Sequence, residues 1–210
     1  EYVFPEINQM QINPQADVTF ASGLKSILRQ DPDVILVGEI RDEETARIAV
    51  QSALTGHIVM SSLHATDATS ALYRLIDMGI EPFLMASSLV GVVGQRLVRK
   101  ICPSCVTPYE PTPEERTVYD HFGGTPKEKF VHGTGCNYCS NTGYRDRVGV
   151  YEVLAVTDEI RQLIVTAASP QDMRALAVSQ GMRTMSREAM ALVAADVTTI
   201  DEVIHNVYIN

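Results

Sequence analysis

Two short apolar runs, separated by an amphipathic segment, dominate the N-terminal part of the chain. The runs are "VILV" (34–37) and "HIVMSSL" (57–63), and both contain β-branched residues. Segments whose apolar residues recur at helical spacing lie before, between and after them, at 18–33, 42–56 and 65–79. An alternation of helices with short, continuously apolar strands is typical of a layered fold with a buried parallel sheet. The sequence therefore predicts an α/β core.

The composition of the chain changes near Ile101. Residues 101–147 are rich in Cys, Pro, Gly and Thr and show little periodicity, which indicates a small, loop-rich subdomain. Helical patterns return after a predicted strand in "RVGVYEVLAV", and Thr199 followed by Glu202 matches a capping box. We therefore predict three parts: the core over 1–100, the subdomain over 101–147 and a C-terminal helical region over 148–210.

The bulk composition narrows the classes of function. The 210 residues carry a net charge of -9, whereas a general nucleic-acid binder usually has a basic surplus, so we expect no nucleic-acid partner. No run of about 18 apolar residues occurs, so no membrane span is predicted, and the first residues lack the pattern of a signal peptide. The chain starts at Glu1, within what reads as a strand and turn, and we expect it to be a piece of a longer protein.

All four cysteines occur in two C-x-x-C pairs, Cys102 with Cys105 and Cys136 with Cys139. Each pair can direct two thiolates from a tight turn at one tetrahedral ion, so the favoured interpretation is a structural zinc site with four thiolate ligands. Isolated reduced thiols, a disulfide and a redox-active C-x-x-C are the alternatives. A closed site of four thiolates has no open position for a substrate, so we expect it to stabilise the subdomain and to take no part in catalysis.

Charged residues directly follow the first predicted strand, in "GEIRDEE". Gly38 allows a ligand to approach the backbone, and Glu39 would lie at the carboxyl end of the strand, where open α/β sheets bind ligands. A carboxylate there can orient water near a phosphate or reach a magnesium ion through water, and Arg41 could pair with Glu39 or with the phosphate. The alternative is a buried strand followed by a helix whose first turn is acidic.

A histidine stands at each end of the second predicted strand. His64 closes the strand and would lie at the same sheet edge as Glu39 if the two strands are parallel neighbours, and an imidazole there can contact a phosphate. His57 opens the strand, and we expect a structural role for it because an extended strand keeps the two rings apart. From the residues alone, a structural and a functional role are equally supported for His64.

Several long motifs, in the same order along the chain, resemble those of the secretion ATPases that drive type II secretion and type IV pilus assembly. The resemblance covers essentially the whole chain, with "SILRQDPDVILVGEIRDEETARIAVQSALTGHIVMSSLHATDATSALYRLIDMGIEPFL", "SSLVGVVGQRLVRKICPSC", "GYRDRVGVYEVLAVTDEI", "GMRTMSREAM" and "TTIDEVI". It implies a partial RecA-like core, ATP and Mg²⁺ as ligands of the full-length protein, and Zn²⁺ on the four cysteines, a feature of the assembly and secretion members.

The resemblance also implies roles for individual residues. "VILVGEIRDEETA" resembles the Walker B segment, with Glu39 as its acidic residue and Gly38 at the position where other P-loop proteins have Asp. "TGHIVMSSLHATDA" resembles the His box, in which His64 would sense the γ-phosphate. Glu1 resembles the last acidic residue of the Asp box. In the mechanism that these roles suggest, Arg41, two residues after Glu39, would hold Glu39 in place.

The chain contains no G-x-x-x-x-G-K-[ST] sequence, although members of the family carry this P-loop upstream of the Asp box. Because the amides and lysine of a P-loop hold the β- and γ-phosphates, we expect the chain alone not to hydrolyse ATP. The resemblance implies that the full-length protein is a cytoplasmic homo-hexameric ATPase, peripheral to the inner membrane, with a membrane platform and cytoplasmic adaptor proteins as partners. The alternative is a non-enzymatic, zinc-bearing adaptor derived from such a motor.

Overall fold

The computed structural model describes residues 3–207, and these form an α/β structure, as predicted. The described part contains no helix that is both long and apolar enough to cross a membrane. The helices and strands of the described residues are, in chain order, α1 (Phe20–Ile27), β1 (Val34–Val37), α2 (Glu43–Leu54), β2 (Ile58–Ser61), α3 (Ala68–Asp77), α4 (Pro82–Ser88), β3 (Gly91–Ile101), β4 (Val106–Tyr109), α5 (Pro113–His121), β5 (Phe130–Gly133), β6 (Tyr144–Ala155), α6 (Asp158–Val165), α7 (Pro170–Ser179), α8 (Met185–Ala194) and α9 (Ile200–Asn206).

The backbone divides into two compact units. Within the described residues, the first unit consists of 3–91 and 156–174, and the second consists of 92–155 and 175–207. Both units are therefore discontinuous in sequence. Compactness of the backbone does not show which segments fold independently, so the division into the three predicted parts stays a prediction.

The first unit contains the predicted pair of parallel strands. β1 and β2 are paired in parallel, with Val37 opposite Ser61 at their carboxyl ends. Asp42 is the N-cap of α2, because its Oδ1 accepts a hydrogen bond from the Thr45 N–H at 2.8 Å. Gly56 follows the helix with a φ of 104°, a conformation that glycine adopts easily. Both ends of α2 are thus marked by residue types that commonly begin and end helices.

The expected burial of both strands is wrong for one face of the pair. In β1, Ile35 and Val37 are buried, whereas the Leu36 side chain is 71% exposed, and in β2 Ile58 is 62% exposed. A continuous apolar strand is buried on both faces only where other elements cover both faces of its sheet. Alternate residues of β1 are buried in the first unit, which is the pattern of a sheet covered on one side.

The second unit has its own hydrophobic core. β3 pairs with β6, and β4 pairs with β5 in antiparallel register. Two aromatic rings lie near the centre of the core, where Tyr119 and Phe130 pack edge to face with their ring centroids 4.9 Å apart. The core further includes Val98, Val150, Met190 and Ile200.

Residues 101–147 are more regular than expected. Helix α5 lies between β4 and β5, and a reciprocal capping box of Thr112 and Glu115 begins it. The string "TPEE" carries this signal, with Pro113 at the first helical position. Tyr119 is the residue that α5 buries, and a single buried residue gives no helical period. The apolar pattern therefore does not predict α5, whereas the capping box of Thr112 and Glu115 does.

The capping box predicted at Thr199 and Glu202 is only half formed. Thr199 Oγ1 accepts the Glu202 N–H at 3.1 Å, as predicted. The Glu202 carboxylate bonds to Arg99 and does not return to the helix N-terminus. Because Glu202 is buried, its charge needs a cationic partner, which Arg99 supplies. The spacing of Thr199 and Glu202 in the sequence does not predict this partner.

Candidate functional site

The carboxyl ends of β1 and β2 bring the two predicted motifs to one edge of the strand pair. The strands end at Val37 and Ser61, which are directly opposite each other. Glu39 and His64 follow these ends by two and three residues, respectively. Both side chains therefore belong to the edge at which α/β sheets bind ligands, as the sequence predicts for parallel neighbours.

Glu39 contacts both Arg41 and His64 at this edge. Arg41 Nε lies 2.6 Å from Glu39 Oε2, and His64 Nε2 lies 3.5 Å from the same oxygen. The Glu39 side chain is 21% exposed, whereas those of Arg41 and His64 are 68% and 89% exposed. A carboxylate that is held by a cation next to an exposed imidazole can orient a water molecule beside a phosphate. The structure thus brings three of the predicted site residues together.

Gly38 has a packing reason for lacking a side chain. A Cβ atom at this position would lie 3.3 Å from Cε1 of the Phe20 ring, so the ring would have to shift by a few tenths of an ångström. Such a contact is tighter than side chains in a well-packed interior normally make. The role of Gly38 in the close approach of a nucleotide stays a prediction.

His57 lies apart from this cluster. His57 precedes β2 at its opposite end, where its Nδ1 lies 2.9 Å from the Ser52 carbonyl oxygen. This contact joins the start of the strand to the end of α2 and supports a structural role for His57. Glu1 lies outside the described residues, so its place in the site stays a prediction.

Sequence reasoning did not identify Ser62, although it belongs to the same edge. Its Oγ donates a hydrogen bond to the Gly38 carbonyl oxygen at 2.7 Å. The signal that could have found it is the parallel register. Because Val37 and Ser61 are opposite each other, the residues that follow them also run side by side.

The four cysteines form one cluster in the second unit, with all four Sγ atoms within 4.8 Å of one another. The Sγ atom of Cys136 lies 3.7 Å from that of Cys139 and 3.8 Å from that of Cys102, and Cys105 lies 3.9 Å from Cys139. Four thiolates bound to a tetrahedral zinc ion at about 2.3 Å lie about 3.8 Å apart. All four are free thiols, so the disulfide alternative does not describe this structure. The donor set and its spacing fit zinc.

Backbone donors distinguish the sulfur atoms of the cluster. Burial raises the pKa of the Cys139 thiol, but the N–H groups of Cys136 and Gly143, at 3.2 and 3.3 Å from the sulfur, together with the thiols of Cys136 and Cys105, outweigh burial and lower this pKa to about 6. Burial and hydrogen bonds to the other thiols raise the pKa of Cys105 to about 12. Amide donors stabilise the thiolate form, which is the form that binds a metal ion.

Two glycines allow backbone segments to cross beside the cluster. A Cβ atom at Gly133 would lie 2.0 Å from the carbonyl oxygen of Gly143, so any other residue would force the segments apart. Gly143 has a φ of 77°. Its carbonyl oxygen accepts the Cys102 N–H at 2.9 Å, and this bond joins the two C-x-x-C segments.

The sequence of the chain matches a known family along nearly its whole length. The family of type II/IV secretion system proteins matches residues 1–205. The chain belongs to this family.

Similarity to individual members of the type II/IV secretion system protein family extends over most of the chain. The type II secretion system ATPase E of Vibrio cholerae is 53% identical over 175 residues, which cover 82% of this chain and 34% of that protein. The type IV pilus assembly ATPase PilB of Thermus thermophilus is 44% identical over 208 residues, which cover 97% of this chain and 23% of that protein. The chain therefore spans well under half the length of these relatives.

A solved structure shares this fold. The pilus retraction motor PilT with bound ADP superposes on the chain with a TM-score of 0.61 at 26% sequence identity. The superposition covers 89% of this chain and 43% of the PilT chain.

Proposed function

We propose that this chain is part of an ATP-hydrolysing motor that drives type II protein secretion or type IV pilus assembly. The observation that carries the proposal is the contact of Glu39 with both Arg41 and His64 at the carboxyl edge of two parallel strands. Ligands of open α/β sheets bind at this edge. The similarity to ATPases of secretion and of pilus assembly supports the motor role without separating the two processes.

In this proposal, the three residues at the edge divide the work of phosphoryl transfer to water. Glu39 polarises the attacking water or holds the water shell of the magnesium ion, and Arg41 fixes the carboxylate through their 2.6 Å contact. His64 lies four residues before α3 and would report to this helix whether the γ-phosphate is present. Magnesium, when bound with ATP, neutralises negative charge on the β- and γ-phosphates.

The other parts of the proposal concern the full-length protein and rest on the family. They are a RecA-like core, a catalytic role for Glu1 and a close approach of the nucleotide to Gly38. They further include a homo-hexamer, a cytoplasmic location at the face of the inner membrane, and a membrane platform and adaptor proteins as partners. The four cysteines hold a structural zinc ion, which their sulfur separations support. The chain alone does not hydrolyse ATP, because it contains no P-loop sequence to hold the phosphates.

The substitution Glu39→Gln in the full-length protein tests the proposal. The amide keeps the size of the side chain but loses the charge that polarises water or attracts the magnesium shell. We expect kcat for ATP hydrolysis to fall about 100-fold or more, the range typical of a lost general base, while the affinity for ATP stays within about twofold. Steady-state hydrolysis and calorimetric titration with ATP measure the two quantities.

One control variant tests for a general loss of structure, and a measurement on the isolated chain tests the need for a P-loop. Glu44→Gln makes the same chemical change at an exposed ion pair with Lys25 and should leave turnover unchanged. The isolated chain should show no turnover and no micromolar binding of ATP. Wild-type turnover by Glu39→Gln would remove Glu39 from the mechanism, and turnover by the isolated chain would contradict the need for a P-loop.

A further inference from the structure

The backbone pairing of β1 and β2 continues beyond the ends of the two strands. Val37 and Ser61 are the last opposed pair, and the next residues along each strand are Gly38 and Ser62. The Ile40 N–H donates a hydrogen bond to the Ser62 carbonyl oxygen at 3.0 Å. The segment that carries Glu39 is thus still attached to the neighbouring strand after regular structure has ended.

The side chain of Ser62 adds a second attachment to the same segment. Its Oγ donates a hydrogen bond to the Gly38 carbonyl oxygen at 2.7 Å. Gly38 and Ile40 are the two neighbours of Glu39 in the chain. One residue therefore bonds to the main chain on both sides of Glu39, through its own carbonyl group and its hydroxyl group.

The bond to Gly38 matters because glycine is the residue with the greatest backbone freedom. Without a partner for its carbonyl, the peptide between Gly38 and Glu39 could rotate and move the Glu39 carboxylate. Ser62 lies two residues before His64, so the same bond links the two segments that carry Glu39 and His64. His64 Nε2 lies 3.5 Å from Glu39 Oε2.

We infer that Ser62 is a positioning residue that aligns Glu39 with His64 for the hydrolysis of ATP. This inference rests on the function proposed above. Ser62 acts through Glu39 and is not assigned a contact with the nucleotide. Its loss should therefore slow the chemical step and leave nucleotide binding intact, because a misplacement of about 1 Å at a catalytic group can cost about 100-fold in rate.

The test compares Ser62→Ala and Ser62→Thr in the full-length protein. The alanine variant keeps the main-chain bond to Ile40 but loses the hydroxyl, and we expect kcat to fall about tenfold or more while KM for ATP stays within about twofold. The threonine variant keeps the hydroxyl, and we expect it to retain more than about half of the wild-type kcat. If the alanine variant does not assemble, Ser62→Cys replaces it, because a thiol is a weak donor and the same fall in kcat is expected.

A matched control is available in α4. Ser87 Oγ also donates to a main-chain carbonyl, that of Phe83, at 2.9 Å, and it lies outside the cluster around Glu39. Ser87→Ala should keep kcat within about twofold of the wild type, because the loss of an exposed hydrogen bond has little effect. The thermal midpoint of each variant shows whether a change in rate follows from unfolding.

Three outcomes would overturn the inference. Wild-type kcat in Ser62→Ala is the first, a rise in KM that accounts for the whole loss is the second, and failure of Ser62→Thr to retain activity is the third. Glu39→Gln in the same assay distinguishes a failure of the positioning role of Ser62 from a failure of the proposed function. If Glu39→Gln is inactive and Ser62→Ala is fully active, the positioning role fails and the proposed function stands. If Glu39→Gln is active, the proposed mechanism itself fails.

Discussion

Two tyrosine hydroxyl groups of the second unit have opposite environments. Tyr109 Oη donates to Glu115 Oε1 at 2.6 Å, and burial together with this contact raises the pKa of Tyr109. Tyr119 is fully buried, and its hydroxyl has no hydrogen-bond partner among residues 3–207. A buried polar group without a partner costs about 1–3 kcal/mol, whereas a satisfied one contributes about 1 kcal/mol. One hydroxyl therefore stabilises the unit and the other destabilises it.

Removal of the unpaired hydroxyl should stabilise the protein. Tyr119→Phe keeps the ring that packs on Phe130 and is expected to raise the free energy of unfolding by about 1 kcal/mol. Tyr109→Phe makes the same chemical change where the hydroxyl is bonded and should lower the free energy of unfolding by about 1 kcal/mol. Urea denaturation of both variants measures the difference. Equal destabilisation by the two substitutions would show that the Tyr119 hydroxyl has a partner in solution.

The contrast among single residues shows what the sequence could predict. Glu39 and His64 could be placed together because each follows a strand signal closely and parallel strands share an edge. Arg41 is two residues from Glu39 in the chain, so their ion pair could be predicted from the sequence alone. Ser62 bonds to Gly38 across 24 residues of chain, and no local pattern records that bond. Prediction succeeds for contacts that follow from chain spacing or from the shared edge of parallel strands, and it fails for those that depend on the detailed side-chain geometry of the fold.

At the scale of elements, an ion pair between the half-exposed Arg99 and the buried Glu202 joins β3 to α9 within the second unit. Glu202 accepts hydrogen bonds from the Arg99 main-chain N–H at 2.9 Å and from Nε and Nη2 of its guanidinium at 2.9 and 2.6 Å. The guanidinium lies 4.1 Å from the centroid of the Tyr144 ring, whose hydroxyl is 2.7 Å from Thr199 Oγ1. Residues from β3, β6 and the start of α9 thus share one polar network.

The loss of the Glu202 carboxylate should detach this end of the helix. Glu202→Ala leaves the Arg99 amide and guanidinium without their acceptor, and we expect the free energy of unfolding to fall by about 2 kcal/mol, below the full effect for a buried pair because Arg99 is half-exposed. Asp201→Ala is the matched control, since Asp201 is exposed on the same turn and should cost less than about 0.5 kcal/mol. Chemical denaturation compares them. Equal effects would mean that the pair with Arg99 contributes nothing beyond helix propensity.

The ends of elements were more predictable than their burial. Asp42, Thr157 and Ser169 are residue types that commonly cap helices, and the side chain of each accepts a hydrogen bond from a main-chain N–H at the start of α2, α6 and α7, respectively. The exposed faces of β1 and β2 contradict the expectation from their apolar runs, because burial depends on what the rest of the fold places over a strand. The same limit explains why α5 was not predicted, since its single buried residue gives no helical period.

At the scale of the whole molecule, the proposed chemistry and the cysteine cluster belong to different units. Glu39 and His64 lie in the first unit, and all four cysteines lie in the second. In this proposal the cluster contributes no group to the hydrolysis of ATP, because four thiolates on one ion leave no open position for a substrate. In this proposal the cluster stabilises the unit that contains it, and this effect can be measured on the chain itself. The activity, by contrast, has to be measured on the full-length protein.

Removal of zinc should destabilise the chain. Protein purified without chelators is expected to contain about one zinc ion per chain, because four thiolates at the observed separations complete a tetrahedral site. Treatment with a chelator should lower the thermal midpoint and increase proteolysis, since metal binding contributes to folding. Cys139→Ser should lose the metal, whereas Ser104→Ala, in the other C-x-x-C segment, should keep it. Less than about half an equivalent of zinc, with four freely titrating thiols, would show that the cluster is a group of reduced thiols and not a metal site.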